Sequence, residues 1–173
     1  MNNEGYVAAE RRSIHPEPLN ERAWEPFGWL PLADTDPRDG EHTMAFTWAD
    51  PHVNVIGHAR SEVPETESGL RCEMLFRHDT HTQSVMSLDV PAVIAVAPGQ
   101  VDFSDPGDVA SIRVFRLEPL EPLVLHQGTW HWGPFPVEAE FVHLFNVQGR
   151  RYAEDNACVD LAGLGLDVNV VLV

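Results

Sequence analysis

Apolar and polar positions alternate along most of the chain, and they do so in short stretches. Residues 43–48, 53–59, 70–78, 83–88, 92–96, 112–117, 123–126, 141–148 and 167–173 read as strands, with the aromatic and β-branched content that half-buried strands carry. Turn-forming residues separate them: DTDPRDG at 34–40, Asp79-Thr80, Asp89-Val90-Pro91, the Pro/Gly/Asp-rich stretch 98–107, and Gln127-Gly128. Residues 61–69 read as an acidic loop. The 14 prolines fit this pattern, because proline is excluded from helix interiors and central strands but tolerated between short ones. Helix is predicted once, as a short turn after Asn20, whose side chain suits a cap; Pro26 and Gly28 end it. Residues 1–18 are polar and aperiodic and read as a flexible N-terminal arm, and 19–173 as a single domain. With about nine or ten short strands and little helix, the expected fold is all-β, an antiparallel jelly roll or small barrel.

Charge narrows the partners. The 173 residues carry 11 basic and 27 acidic side chains, a net charge of −16, which argues against nucleic acid and against an anionic membrane surface. Every basic residue is arginine. Schiff-base and lysine general-base mechanisms are thereby excluded, and arginine is left as the side chain that grips a carboxylate in bidentate fashion. Cys72 and Cys158 fit no CxxC pattern and read as two buried thiols in a reducing, cytoplasmic setting. No apolar stretch has the length of a membrane span, and the first residues have no apolar core of the secretory kind.

Two segments hold the candidate chemistry: Glu73–Gln83 (EMLFRHDTHTQ) and His126–Trp132 (HQGTWHW). On a straight strand Glu73, Leu75 and Arg77 share one face, and Met74, Phe76 and His78 the other. A turn at Asp79-Thr80 resets the register, so that His78 and Gln83 can converge, while His126 arrives from a distant strand. Histidine is the common general base and metal ligand. His81 either completes the set formed by His78, Gln83 and His126 or, as the turn favours, points outward. His131, between two tryptophans, reads either as a site residue or as part of an aromatic cluster. His58 and His143 lie in strand patterns and are kept in reserve.

This spacing resembles the cupin superfamily, whose first motif sets a histidine five positions before an acid and whose second supplies one more histidine. Here those places hold His78, Gln83 and His126. Taken with Trp24-Glu25-Pro26-Phe27-Gly28 and Asp155-Asn156, the segments RHxxxTQ (77–83) and HxxxWH (126–131) resemble the ureidoglycolate lyase family, also called ureidoglycolate hydrolase, over residues 19–161. The resemblance implies a cupin-type jelly-roll barrel that cleaves ureidoglycolate to glyoxylate and urea. It also implies a homodimer and, in some members, a divalent transition metal, for which the set here would be His78, Gln83 and His126; no organic cofactor is implied. Where the family has a Lys-Gly-Glu-like turn this chain has Asp89-Val90-Pro91.

Ureidoglycolate is a carbinolamide. Breaking its C–N bond takes a base for the hydroxyl proton, an acid for the leaving nitrogen and a cation for the carboxylate. The expected roles are His126 as base or metal ligand, His78 as acid or second ligand, and Glu73 as proton relay or as partner of Arg77. Arg77 or Arg113 would hold the carboxylate, Gln83 would orient the urea group, and His131 would sit near the substrate. Asp89 reads as a turn residue rather than a replacement base, and Asp155-Asn156 either closes the mouth of the barrel or caps a turn. Two alternatives stand beside the lyase: another cupin enzyme, a metal-dependent oxygenase or an isomerase acting on a small carboxylate, and a non-catalytic barrel that binds small acids.

Overall fold

The computed structural model describes residues 10–31 and 41–172. The elements are, in order, β1 (Glu10–Ile14), β2 (Glu17–Pro18), α1 (Glu21–Trp24), β3 (Gly28–Trp29), β4 (Pro51–Ala59), β5 (Gly69–Cys72), β6 (Met74–Arg77) and β7 (Gln83–Ser87). There follow β8 (Ala92–Ala97), β9 (Arg113–Leu117), β10 (Pro122–Leu125), β11 (Trp130–Pro136), β12 (Phe141–Gly149), β13 (Ala157–Asp160) and β14 (Leu166–Val171). The fold is an all-β jelly-roll barrel. Asn20 caps α1 as expected, its side chain accepting from the Ala23 N–H at 3.0 Å. Among the described residues no helix is long and apolar enough to cross a membrane.

The strands form three sheets: β1-β14-β5, β13-β6-β11-β8-β9-β2 and β3-β10-β7-β12-β4. The six-stranded sheet lies between the other two. Its strand β8 reads AVIAVA and is buried throughout, because both faces are covered. Val93, Ala95 and Ala97 join a core with Leu70, Val168 and Val170 of the three-stranded sheet. Ile94 and Val96 face the five-stranded sheet and pack with Phe115, Leu123, Leu125, Val142, Leu144, Trp24 and Phe27. That second core fills one half of the barrel.

Several sequence expectations change. Residues 10–14 and 17–18 of the expected arm are strands, pairing in parallel with β14 and β9, so the sheets are not wholly antiparallel. Residues 1–9 of that arm and the turn cluster at 34–40 lie outside the described residues. Residues 43–48 form no strand. Their backbone groups are taken by the turn opposite: Ala45 N–H donates to Thr82 Oγ1 at 2.9 Å and Thr47 N–H to the Thr80 carbonyl at 2.9 Å, leaving one bridge, Phe46 to His81. The run 70–78 is two strands in two sheets. It parts at Glu73, whose carbonyl accepts the N–H groups of Leu161 and Ala162 instead of a ladder partner. β11, a strand not among those expected, carries a bulge at its central Gly133-Pro134: the register shifts between Trp132 and Phe135, and Gly133 takes φ +88°. Cys72 is buried as expected; Cys158 is exposed.

Candidate active site

The other half of the barrel holds a cavity of about 520 Å³ between β6 and β11 on one side and β4, β7 and β12 on the other. Strand alternation decides what faces it. Met74 and Phe76 on β6, and His78 just beyond, point in. Leu75 points away into the core beneath the three-stranded sheet. On β11, His131 and Gly133 line the cavity. The glycine is required there: a Cβ would lie 2.9 Å from the Val93 carbonyl oxygen.

Three imidazoles gather at one end. The His78 ring lies 4.7 Å from that of His81, nearly parallel, and 5.4 Å from that of His131. His78 Nδ1 bonds the Asp155 carbonyl, and His131 Nδ1 bonds the Thr129 carbonyl at 3.1 Å. A carbonyl only accepts, so in both rings Nδ1 carries the hydrogen and Nε2 is left free. His81 is buried against Gly149, where a Cβ would meet its Nδ1 at 2.7 Å. Burial pushes His131 and His81 down to about 4, and charge on His78 adds to the effect in each. The Asp155 carboxylate, held below the usual range by bonds from the Thr80 hydroxyl and the Thr80 and Asp79 N–H groups, pins the 79–80 turn.

Gln83 completes this end. Its Nε2 donates to Asn146 Oδ1 at 2.8 Å, and Asn146 Nδ2 donates to Asn54 Oδ1 at 2.8 Å. The chain of amides fixes which way Gln83 faces, and it leaves Oε1 buried in the cavity wall without a partner among the described residues. A buried acceptor in that state takes a donor from water or from a bound molecule. Gln148, Tyr152 and Asn156 line the same end.

The far end differs. Four residues of strand separate His78 from Met74, about 13 Å at 3.3 Å per residue. There the walls are Met74, Trp132, Phe135, Ile56 and Val63, with His58, Glu62, Glu73 and Arg71 at the rim. Burial lowers the His58 pKa, against the pull of Glu62 at 3.6 Å. Arg71 Nε pairs with Asp167 at 3.2 Å.

Of the expected site residues, Glu73, His78, Gln83 and His131 line this cavity, as does the reserve His58. The others do not. Arg77 follows the strand parity of Leu75: its guanidinium stacks 4.5 Å over Trp130, donates to the Gly99 carbonyl, and sits 3.2 Å from Asp79 instead of pairing with Glu73. Arg113 is locked to Glu17 through two bonds of 2.9 and 2.6 Å and donates to the Ala23 carbonyl, tying β2 to α1. His126 lies in a separate surface cleft, its ring 5.5 Å from Trp29. His81 is buried rather than outward. His143 is exposed, bonded to Asp89 at 2.5 Å. Gln148, Asn146, Tyr152 and Arg71 were not foreseen. For Gln148 and Asn146 the signal was present, since both fall on the inward parity of the strand 141–148.

The metal expected from the cupin pattern finds no matching ligands. His126 is absent from the cavity that holds His78 and Gln83, and among the described residues no three His, Cys, Asp or Glu side chains converge as a metal site. The set His78, Gln83 and His126 is therefore not brought together.

Residues 11–164 match the sequence profile of the family described as ureidoglycolate lyase. No individual curated protein matches the chain.

Proposed function

Given that the chain belongs to the ureidoglycolate lyase family and is a lyase that cleaves ureidoglycolate to glyoxylate and urea, we propose that the reaction takes place where His78, His131 and Gln83 meet. One observation carries this: two imidazoles are tied through Nδ1 to main-chain carbonyls, so that both free Nε2 atoms belong to a cavity that also contains an unpaired amide oxygen.

His131 is the base. Its depressed pKa keeps Nε2 unprotonated at neutral pH. It takes the carbinol hydroxyl proton; as the aldehyde C=O forms the C–N bond breaks, and the same proton passes to the departing nitrogen. The two heteroatoms sit on one carbon, so a single imidazole can serve both, and no net proton is consumed. The substrate carboxylate lies beside His78, whose ring is 5.4 Å from that of His131. Amide donors of Gln148 and Asn156 flank it. Gln83 Oε1 accepts the N–H of the scissile bond. No lysine is required.

Glyoxylate release from ureidoglycolate tests the assignment. His131→Ala is expected to lower kcat by about 10²- to 10⁴-fold, with chelator leaving the wild type unchanged. A variant retaining a tenth or more of the rate removes His131 from this role.

We also propose that the protein works as a cytoplasmic homodimer. The nine residues of β4 form a sheet edge with no Asp, Glu, Lys or Arg, and Val53 and Val55 on it are exposed, the kind of edge that pairs with a second copy about a two-fold axis. Both cysteines are free, as a reducing compartment keeps them.

A further inference from the structure

Ureidoglycolate has nine non-hydrogen atoms, too few to fill the cavity that surrounds His78 and His131. A volume of about 520 Å³ lies in the range that encloses ligands of drug size. The excess runs in one direction, along β6 from His78 toward Met74 for about 13 Å. Beyond the histidines its walls are Phe76, Met74, Ile56, Trp132 and Phe135, which present hydrocarbon beneath the polar rim described above. Trp132 is in addition packed against Phe135, with ring centroids 4.5 Å apart, so this wall is set before any ligand arrives. Against such a surface the terminal amide of a urea has few partners, and an unpaired polar group facing apolar walls is penalised.

We propose that this site also cleaves N-acyl-2-hydroxyglycines whose acyl group is aromatic or a short hydrocarbon, yielding glyoxylate and the primary amide. The proposal rests on the assignment of His78, His131 and Gln83 given above. The reacting portion, –NH–CH(OH)–COO⁻, is common to ureidoglycolate and to R–CO–NH–CH(OH)–COO⁻, so each of those residues keeps its role. The hydroxyl proton moves to nitrogen, the C–N bond breaks, and the C–O bond becomes the aldehyde carbonyl; the products are R–CO–NH₂ and glyoxylate, with no oxidant, reductant or water consumed. Only the leaving group changes. Its carbonyl continues away from Gln83, and R enters the chamber between Met74 and Phe135. An N-acylated 2-hydroxyglycine arises by hydroxylation of an N-acylglycine at its α-carbon, so the class of reaction that feeds this activity is an α-hydroxylation.

The test measures glyoxylate release from N-benzoyl-2-hydroxyglycine beside ureidoglycolate, with wild type and Met74→Trp. The wild type is expected to turn over the benzoyl compound with kcat/KM at least equal to that for ureidoglycolate. Filling the far chamber in Met74→Trp is expected to lower the benzoyl value tenfold or more and to change the ureidoglycolate value less than threefold. Binding gives a second readout independent of turnover: hippurate, which lacks the hydroxyl, is expected to inhibit ureidoglycolate cleavage at a concentration at least tenfold lower than N-carbamoylglycine. Turnover of ureidoglycolate with none of the benzoyl compound, or equal inhibition by the two analogues, overturns the proposal and leaves the lyase assignment intact. Absence of turnover with both substrates overturns the lyase assignment and the proposal with it.

Discussion

Along β12 the inward side chains change character midway. Val142 and Leu144 are fully buried among Leu123, Leu125 and Phe115; Asn146 and Gln148, two and four residues on, belong to the cavity end with Gln83. β7 makes the same change in reverse, from Gln83 to Val85. The barrel interior is thus one volume with two contents. The packed half holds aromatic rings in contact, Trp24 on Phe115 at 5.1 Å and Phe27 on Phe115 at 5.8 Å, and its core members have no titratable group. The open half holds four histidines and an unpaired amide oxygen. The packed half stabilises the fold; the open half costs stability, because buried imidazoles and orphan acceptors are desolvated without full compensation. A barrel this size tolerates the open half because the same strands run on into the packed one.

The largest test of that division is a matched pair of ring deletions. Phe115→Ala in the packed half is expected to cost about 3–5 kcal/mol, a large share of the about 5–15 kcal/mol a domain possesses. Phe76→Ala already faces open space, encloses no new void, and is expected to cost about 1–2 kcal/mol. Urea denaturation measures both; equal losses would break the comparison.

Acid is next. The folded-state pKa values of His131 and His81 lie near 4, below the ordinary 6.5, so the unfolded chain binds protons there first. Their contribution to stability is fully present above about pH 6.5 and is lost as pH falls toward 4. Thermal melts from pH 7 to pH 4 are expected to show this decline, with a shallower slope in His131→Asn. A slope unchanged in that variant would remove the open half as its source.

A smaller effect is expected at the amide chain. Asn54→Leu takes away the acceptor that orients Asn146 and, through it, Gln83. Loss of one hydrogen bond outside the contact with substrate is expected to lower kcat/KM about 2- to 10-fold, mostly through KM. The smallest is His126→Ala, in the separate cleft, which is expected to leave kcat/KM for ureidoglycolate within about twofold, well short of the loss that removing a general base brings.

Much of this division was legible in the sequence, and the parts that were not have identifiable causes. The alternation over 141–148 and 83–88 locates β12 and β7, and the motif residues His78 and Gln83 do converge. Strand parity sets Arg77 opposite His78, so its guanidinium goes to Trp130 and Asp79 although the chemistry calls for a cation beside the carboxylate. His131 sits between two tryptophans and is both desolvated and part of the cavity lining: Trp130 turns to the core beneath the three-stranded sheet, while Trp132 also reaches the cavity wall. His126 occupies the motif position expected of a site residue, but the turn at Gln127-Gly128 carries the chain away before β11 begins, and turn geometry of that kind is not written in residue spacing. The break at Glu73 depends on a partner almost ninety residues later, the N–H of Leu161, and no local pattern can report it.

The three amides in series have a consequence for how this protein can change. Because Gln83 donates to Asn146 and Asn146 to Asn54, their orientations are not independent: Asn54, on the sheet-edge strand β4, sets the polarity that Gln83 presents inside. A residue at 54 that donates instead of accepting would favour reversal of Asn146 and then of Gln83, and the cavity would offer an N–H where it now offers an oxygen. Preference for donors or acceptors in the ligand is in this sense written at the periphery and read at the centre, so selectivity can drift across generations while every residue touching the ligand stays the same.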